Sequence, residues 1–123
     1  MRVPFLDIPA QYRELASELD SAVLEVLRSG AYVLGKHNRA LEEELARRHG
    51  VAHGIAVNSG TDALRIMMDA CRIGPGDEVI TTAFTFVASV ETIVQVGAVP
   101  VFVDIDPRTF NIDVDQIEAA ITP

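Results

Sequence analysis

The chain is poor in the residues that would cross-link it or anchor it in a membrane. Its 123 residues include one cysteine, Cys71, so an internal disulfide is impossible. This cysteine usage fits a reducing compartment, and we predict a cytoplasmic protein. No apolar run is long enough to cross a bilayer. Lysine is equally scarce, since Lys36 is the only one. Any chemistry that needs an amine near the later part of this chain must therefore obtain it elsewhere.

Several binding motifs are absent as well. No Gly-x-Gly-x-x-Gly follows the first predicted strand, and no phosphate-binding loop with a Gly-Lys-Ser/Thr ending is present. His49 and His53 are four residues apart, but Gly50 and Gly54 interrupt any helix that they could share. The acidic residues between 104 and 115 fit turns and helix caps. We therefore predict no metal site and no dinucleotide fingerprint.

Composition and charge indicate a folded domain with acidic character. Hydrophobic residues make up 49% of the chain and charged residues 23%, which is typical of a globular protein. The net charge of -8 argues against nucleic acid and anionic membrane surfaces as partners. A single phosphate group remains possible, because it needs only a few local donors.

The hydrophobic pattern predicts an α/β fold in which two helices precede a parallel β-α-β-α-β sheet. Residues 1–50 are predicted to form an amino-terminal arm and two helices, and residues 51–123 an α/β domain. Segment 84–96 suits a strand by composition and a helix by length, and we predict a helix because parallel strands need a crossover. The predicted helices cover 11–28, 39–49 (capped by Asn38), 61–73, 84–96 and 113–120; the predicted strands cover 53–57, 78–82 and 99–105.

The segment around Gly60 is the strongest candidate for a binding site. An apolar run ends in Ser59, Gly60, Thr61 and Asp62, and a helix follows. A strand that turns into a helix presents free N–H groups and the positive end of the helix dipole to an anion. The other interpretation is a plain helix cap, in which Ser59 and Asp62 form a capping box. On this motif alone the cap is the commoner of the two.

Aromatic residues follow the second predicted strand. Phe84 and Phe86 lie after residues 78–82, at the end of the sheet where ligands of open parallel sheets bind. A phosphate grip beside an aromatic ring suits a flat phosphorylated ligand. Ordinary packing in the core is an equally good explanation for each phenylalanine.

Five motifs occur in a distinctive order along the chain: GAYVLG (30–35), NSGTDAL (58–64), GPGDEVI (74–80), FTFVAS (84–89) and GAVPVFVDID (97–106). Together they resemble the DegT/StrS sugar aminotransferases, which are pyridoxal-phosphate (PLP) enzymes of the aspartate aminotransferase fold (fold type I). The resemblance covers nearly the whole chain. It implies that residues 51–123 are the start of the large PLP-binding α/β domain, which is incomplete here.

The resemblance implies roles for individual residues. Gly60 and Thr61 match the residues that hold the PLP phosphate, and Asp62 adds its backbone N–H. Phe86 matches the aromatic residue that stacks on the pyridine ring. Tyr32 resembles a residue at the substrate entrance, near the interface of a homodimer. The implied reaction moves an amino group from glutamate or glutamine to a keto sugar on a nucleotide carrier.

The resemblance also implies that the catalytic residues lie elsewhere. In the family, the Schiff-base lysine and the aspartate that pairs with the pyridine nitrogen occur beyond the end of this chain, and Lys36 does not match that lysine. We therefore expect an inactive fragment that does not retain PLP by itself. Two alternatives stay open: a non-catalytic module that binds a phosphorylated ligand or serves in assembly, and a PLP-dependent sugar dehydratase in which histidine replaces the lysine.

Overall fold

The structure is a computed structural model that describes residues 5–122. The chain divides into two compact units, Met1–Ala56 and Val57–Pro123. The beginning of the predicted amino-terminal arm, residues 1–4, lies outside the described residues. In the described residues no helix is both long enough and apolar enough to cross a membrane.

The first unit contains two helices, as the sequence predicts. Helix α1 spans Ile8–Ser29, with Asp7 as its cap, and ends at Gly30, which adopts a left-handed conformation (φ 70°). The carboxylate of Asp7 accepts a hydrogen bond from the backbone N–H of Ala10 at 3.0 Å. The apolar stripe of α1 is exposed, and among the described residues none of this helix is buried.

Helix α2 spans Lys36–His49 and begins earlier than predicted. The cap is Gly35, which offers no side chain, so the prediction of Asn38 as the cap is wrong. Asn38 instead lies in the first turn of the helix. The helix ends at Gly50, whose φ of 64° is a left-handed conformation that glycine adopts without strain.

The strand predicted for residues 53–57 is absent. This segment is irregular in the structure, and Ile55 remains 81% exposed. A strand exists only in a ladder with a neighbour, and no strand in residues 5–122 pairs with this one. The segment contacts α2 instead, because the N–H of Ala56 donates to the carboxylate of Glu42 at 2.8 Å.

The second unit is a small α/β sandwich. Strands β1 (Glu78–Thr82) and β2 (Val99–Val103) run parallel, in a register that pairs Glu78 with Val99 and Thr82 with Val103. Helix α4 (Ala88–Gln95) connects them, packs on α3 (Gly60–Ala70) and contacts both strands. Ile93 and Thr92 of α4 are 2% and 0% exposed and form the centre of the core. The elements are α3 (Gly60–Ala70), β1 (Glu78–Thr82), α4 (Ala88–Gln95), β2 (Val99–Val103) and two 3₁₀ turns, η1 (Val114–Gln116) and η2 (Glu118–Ala120).

The α/β class and the parallel sheet after two helices are confirmed, but several boundaries differ from prediction. Helix α4 begins at Ala88, because residues 84–87 form a turn before it. Strand β2 ends at Val103, and Ile105 pairs with Ile112 in an isolated antiparallel bridge. The helix predicted for 113–120 is replaced by η1 and η2, although Asp113 does cap the first of them.

Candidate functional site

Ser59 caps helix α3, as the sequence predicts. The Ser59 hydroxyl accepts a hydrogen bond from the N–H of Asp62 at 3.1 Å. The same hydroxyl lies 3.3 Å from the Asp62 carboxylate, so the two residues also interact through their side chains. The capping interaction therefore occupies the Asp62 N–H that the family resemblance assigns to a phosphate.

The cap leaves two donors at the beginning of α3. Among the described residues, neither the Gly60 N–H nor the Thr61 N–H donates a hydrogen bond. Apart from the neighbouring residues and the backbone of the helix itself, no heavy atom lies within 4 Å of the position that a Cβ on Gly60 would occupy. Both features leave room for an anion to approach the backbone at the positive end of the helix dipole.

The turn between β1 and α4 presents its aromatic residues to the surface. Phe84 is 66% exposed and Phe86 is 75% exposed, so neither packs in the core of this unit. The Phe86 carbonyl accepts a hydrogen bond from the Ser89 N–H at 3.0 Å, and Thr85 Oγ1 lies 3.1 Å from Ser89 Oγ. The backbone around Phe86 is thereby attached to the beginning of α4.

Helices α3 and α4 pack on each other. Leu64 of α3 and Ser89 of α4 line the same apolar cavity of about 420 Å³. Between α3 and β1, the Gly74 N–H donates to the Asp77 carboxylate at 2.8 Å.

Tyr32 and Lys36 belong to the first unit. The Tyr32 hydroxyl donates to the backbone carbonyl of Leu27 at 3.2 Å, and the residue is 67% exposed. Lys36 forms an ion pair with Glu25, and His37 Nε2 lies 3.6 Å from the same carboxylate. The hydrogen bond from Lys36 lowers the pKa of Glu25. The only amine side chain in the sequence is therefore already paired with a carboxylate.

The acidic residues after β2 organise a turn. Asp106 Oδ1 accepts hydrogen bonds from the N–H groups of Arg108 and Thr109, at 2.8 and 2.9 Å. Nowhere in residues 5–122 do three or more histidine, cysteine or acidic side chains converge on a possible metal position.

The turn at Asp106 carries a pH dependence with a definite sign. Hydrogen bonds from the Thr109 and Arg108 N–H groups hold the pKa of Asp106 below its ordinary value of 3.8. A depressed folded pKa means that the carboxylate stabilises the turn above the ordinary value and that this contribution is lost as the pH falls through the folded value. We expect the protection of the Thr109 amide against exchange, measured relative to its intrinsic rate, to fall on acidification from about pH 5 to about pH 2.

Asp106→Asn is the matched variant for this measurement, since its side-chain oxygen still accepts both hydrogen bonds but does not titrate in this range. The amide exchange of Thr109, corrected for intrinsic exchange, should then be independent of pH. An unchanged acid response in the variant would assign the effect to another group.

The sequence model of the DegT/DnrJ/EryC1/StrS aminotransferase family matches residues 13–123. The fold, the open helix start and this match agree, and the chain belongs to that family. Among known proteins, the chain is 47% identical over 121 residues to the UDP-2-acetamido-2-deoxy-3-oxo-D-glucuronate aminotransferase of Pseudomonas aeruginosa. That comparison covers 98% of this chain and 34% of the relative.

Comparison with solved structures supports the same family membership. DesV of S. venezuelae, in complex with a ketimine intermediate, superimposes with a TM-score of 0.95 at 43% identity, over 99% of this chain and 33% of the other. NtdA of Bacillus subtilis with bound cofactor PMP gives a TM-score of 0.92 at 38% identity, over 99% of this chain and 28% of the other. The chain thus spans about a third of the length of the relatives that it matches.

One contact near the candidate site was not predicted from the sequence. The rings of Phe84 and Phe110 lie 5.9 Å apart between centroids, at an interplanar angle of 37°. The sequence indicates a turn at Asp106 and Pro107, but it contains no signal that Phe110 reaches a residue in another turn of the unit.

Proposed function

We propose that this chain supplies the phosphate grip and the ring-stacking residue of a PLP-dependent aminotransferase that acts on a nucleotide-linked keto sugar. The proposal depends mainly on the beginning of α3. There the N–H groups of Gly60 and Thr61 have no hydrogen-bond partner in residues 5–122, and the space beside Gly60 is free for an anion. Membership of an aminotransferase family and the PMP named in the NtdA structure support it. In this proposal, residues 51–123 begin the large PLP-binding domain.

The chemistry of these residues suits a phosphorylated pyridine. The N–H groups of Gly60 and Thr61, and the Thr61 hydroxyl, would donate to phosphate oxygens in hydrogen bonds that the negative charge strengthens. The exposed ring of Phe86 would cover one face of the pyridine and exclude water from it. Asp62 contributes to this arrangement by keeping Ser59 in the cap.

Bound pyridoxal phosphate supplies the electron sink that amino transfer requires. The reaction also needs an amine next to the cofactor. Lys36 is paired with Glu25 in the first unit, and we propose that the reactive lysine and the aspartate for the pyridine nitrogen come from outside these 123 residues.

The remaining assignments follow from the family. We propose glutamate or glutamine as the amino donor, a nucleotide sugar as the acceptor, and a homodimer as the assembly, with Tyr32 at the substrate entrance. The name of the Pseudomonas aeruginosa relative, which acts on a UDP-linked oxo sugar, supports the acceptor class.

The phosphate grip is testable with pyridoxamine phosphate, which needs no lysine to bind. We expect its ³¹P resonance to shift on titration with the chain, and pyridoxamine, which lacks the phosphate, to bind at least about tenfold more weakly. Thr61→Val removes one hydroxyl donor to a charged group and should weaken binding of pyridoxamine phosphate about tenfold.

Thr122→Val is the control, because the Thr122 hydroxyl donates to the Glu78 carboxylate at the start of β1, at the opposite end of that strand from Phe86. This variant should bind pyridoxamine phosphate as tightly as the unmodified chain does. Equal binding of pyridoxamine and pyridoxamine phosphate would contradict the proposal. So would a Thr61→Val variant that binds as tightly as the Thr122→Val control.

A further inference from the structure

Phe110 adopts a backbone conformation that is unusual for a bulky residue. Its φ is 59°, in the left-handed region that favours glycine. Burial does not compensate for this strain, since Phe110 remains 61% exposed. Strained residues persist where the surrounding structure fixes them, and they are concentrated at functional sites.

A network of hydrogen bonds holds Phe110 in this conformation. Its N–H donates to the Asp106 carbonyl at 2.8 Å, and the Asp106 N–H donates to the Asn111 carbonyl at 2.9 Å. The Asp106 carboxylate fixes the intervening N–H groups of the turn. The bridge between Ile105 and Ile112 closes the base of this loop. The backbone therefore sets the direction of the Phe110 Cα–Cβ bond.

That direction brings the ring against Phe84. Phe84 stands in the turn after β1, where its N–H donates to Thr82 Oγ1 at 3.2 Å. Two residues later, the Phe86 carbonyl is attached to α4 through Ser89. The turn that carries Phe86 thus has a contact to β1, a contact to α4 and, through Phe110, a contact to the loop after β2.

We propose that Phe110 is a positioning residue, whose ring braces Phe84 and so fixes the segment 83–87 that presents Phe86 to the cofactor ring. The proposal rests on the proposed function in one respect, since it takes Phe86 as the stacking residue. The brace itself is a property of the ligand-free chain and can be measured without any cofactor.

The test compares three variants. Phe110→Gly removes the ring and leaves the turn intact, because glycine adopts the same positive φ without strain. Phe110→Tyr retains the ring. Phe5→Gly is the control for loss of an exposed phenylalanine, since Phe5 is fully exposed in the first unit. Far-ultraviolet circular dichroism verifies that each variant is folded.

Two readouts separate the brace from the binding function. In the ligand-free chain, we expect the Ser89 amide, which reports the Phe86 carbonyl contact, to exchange several-fold faster in Phe110→Gly than in Phe110→Tyr or Phe5→Gly. For pyridoxamine phosphate, we expect Phe110→Gly to weaken the affinity about threefold to tenfold, and the other two variants to leave it unchanged.

Each outcome has one meaning. Unchanged Ser89 exchange in Phe110→Gly overturns the brace. Faster exchange with unchanged affinity for pyridoxamine phosphate overturns the positioning role. Faster exchange in a chain that does not bind pyridoxamine phosphate even without substitution confirms the brace and contradicts the proposed function.

Discussion

Replacing Ile93 with alanine is expected to lower the free energy of unfolding of the second unit by about 2–5 kcal/mol. Ile93 is 2% exposed and lies in α4, where it lines the cavity between the helices and the sheet. The substitution leaves a void that so small a core cannot refill. The lost transfer free energy of the side chain and the cost of the void both lower the stability. A loss of this size is a large share of the total stability of so small a unit.

Urea denaturation followed by circular dichroism measures this effect. The control is Val94→Ala, one residue along the same helix, which removes an exposed side chain (59%) and should change stability by about 1 kcal/mol or less. If both variants lost the same stability, Ile93 would not be the centre of the core.

Gly54→Ala should disrupt the first unit through a backbone clash. A Cβ on Gly54 would lie 2.6 Å from the carbonyl oxygen of Glu42 and 3.3 Å from its Cα. Backbone atoms of α2 cannot move aside as a flexible side chain does, so the segment must separate from the helix. We expect a loss of about 1–3 kcal/mol, as for other overpacked positions.

The Ala56 N–H reports this separation directly, because its hydrogen bond to the Glu42 carboxylate should break and its exchange with solvent should accelerate. Gly60→Ala is the matched control for stability, since a Cβ there meets no atom within 4 Å and φ is not positive. A Gly54→Ala variant with normal Ala56 exchange would show that the close approach to α2 is not required.

Local signals in the sequence were sufficient to predict much of the secondary structure of the second unit. Strand β1 lies where it was predicted, because an apolar run follows a Gly-Pro-Gly turn. The choice of helix over strand for the segment after it was correct in type, since parallel strands require a crossover. The cap at Ser59 was also readable, because a serine before a helix with an acid three residues later has a local mechanism.

Predictions that depend on distant partners failed. Residues 53–57 have the composition of a buried strand, but no described strand lies beside them to complete a ladder. Segment 113–120 has a helical pattern, yet the Gln116 side-chain oxygen accepts from the Asp104 N–H at 3.1 Å and ties this stretch to the end of β2. The 3₁₀ turns are consistent with that constraint.

The candidate site was partly predictable, because one part of it depends on local sequence and another on contacts between distant residues. The helix start at Gly60 is encoded in consecutive residues, and the structure shows its donors. The contact between Phe84 and Phe110 depends on a left-handed backbone at a phenylalanine, which no propensity favours, and on two turns that meet only in the folded unit. The roles of Gly60, Thr61, Asp62, Phe86 and Tyr32 toward ligands stay predictions.

The parallel pairing of β1 with β2 is completed within a short continuous stretch, with α4 between the strands. Such local pairing incurs a small loop-closure cost, because a short loop separates the paired positions. Chains are synthesised from the amino terminus at about 5–20 residues per second, and domains begin to fold as they emerge. The two strands of this sheet and the helix between them are therefore able to pair during synthesis, once this stretch has left the ribosome.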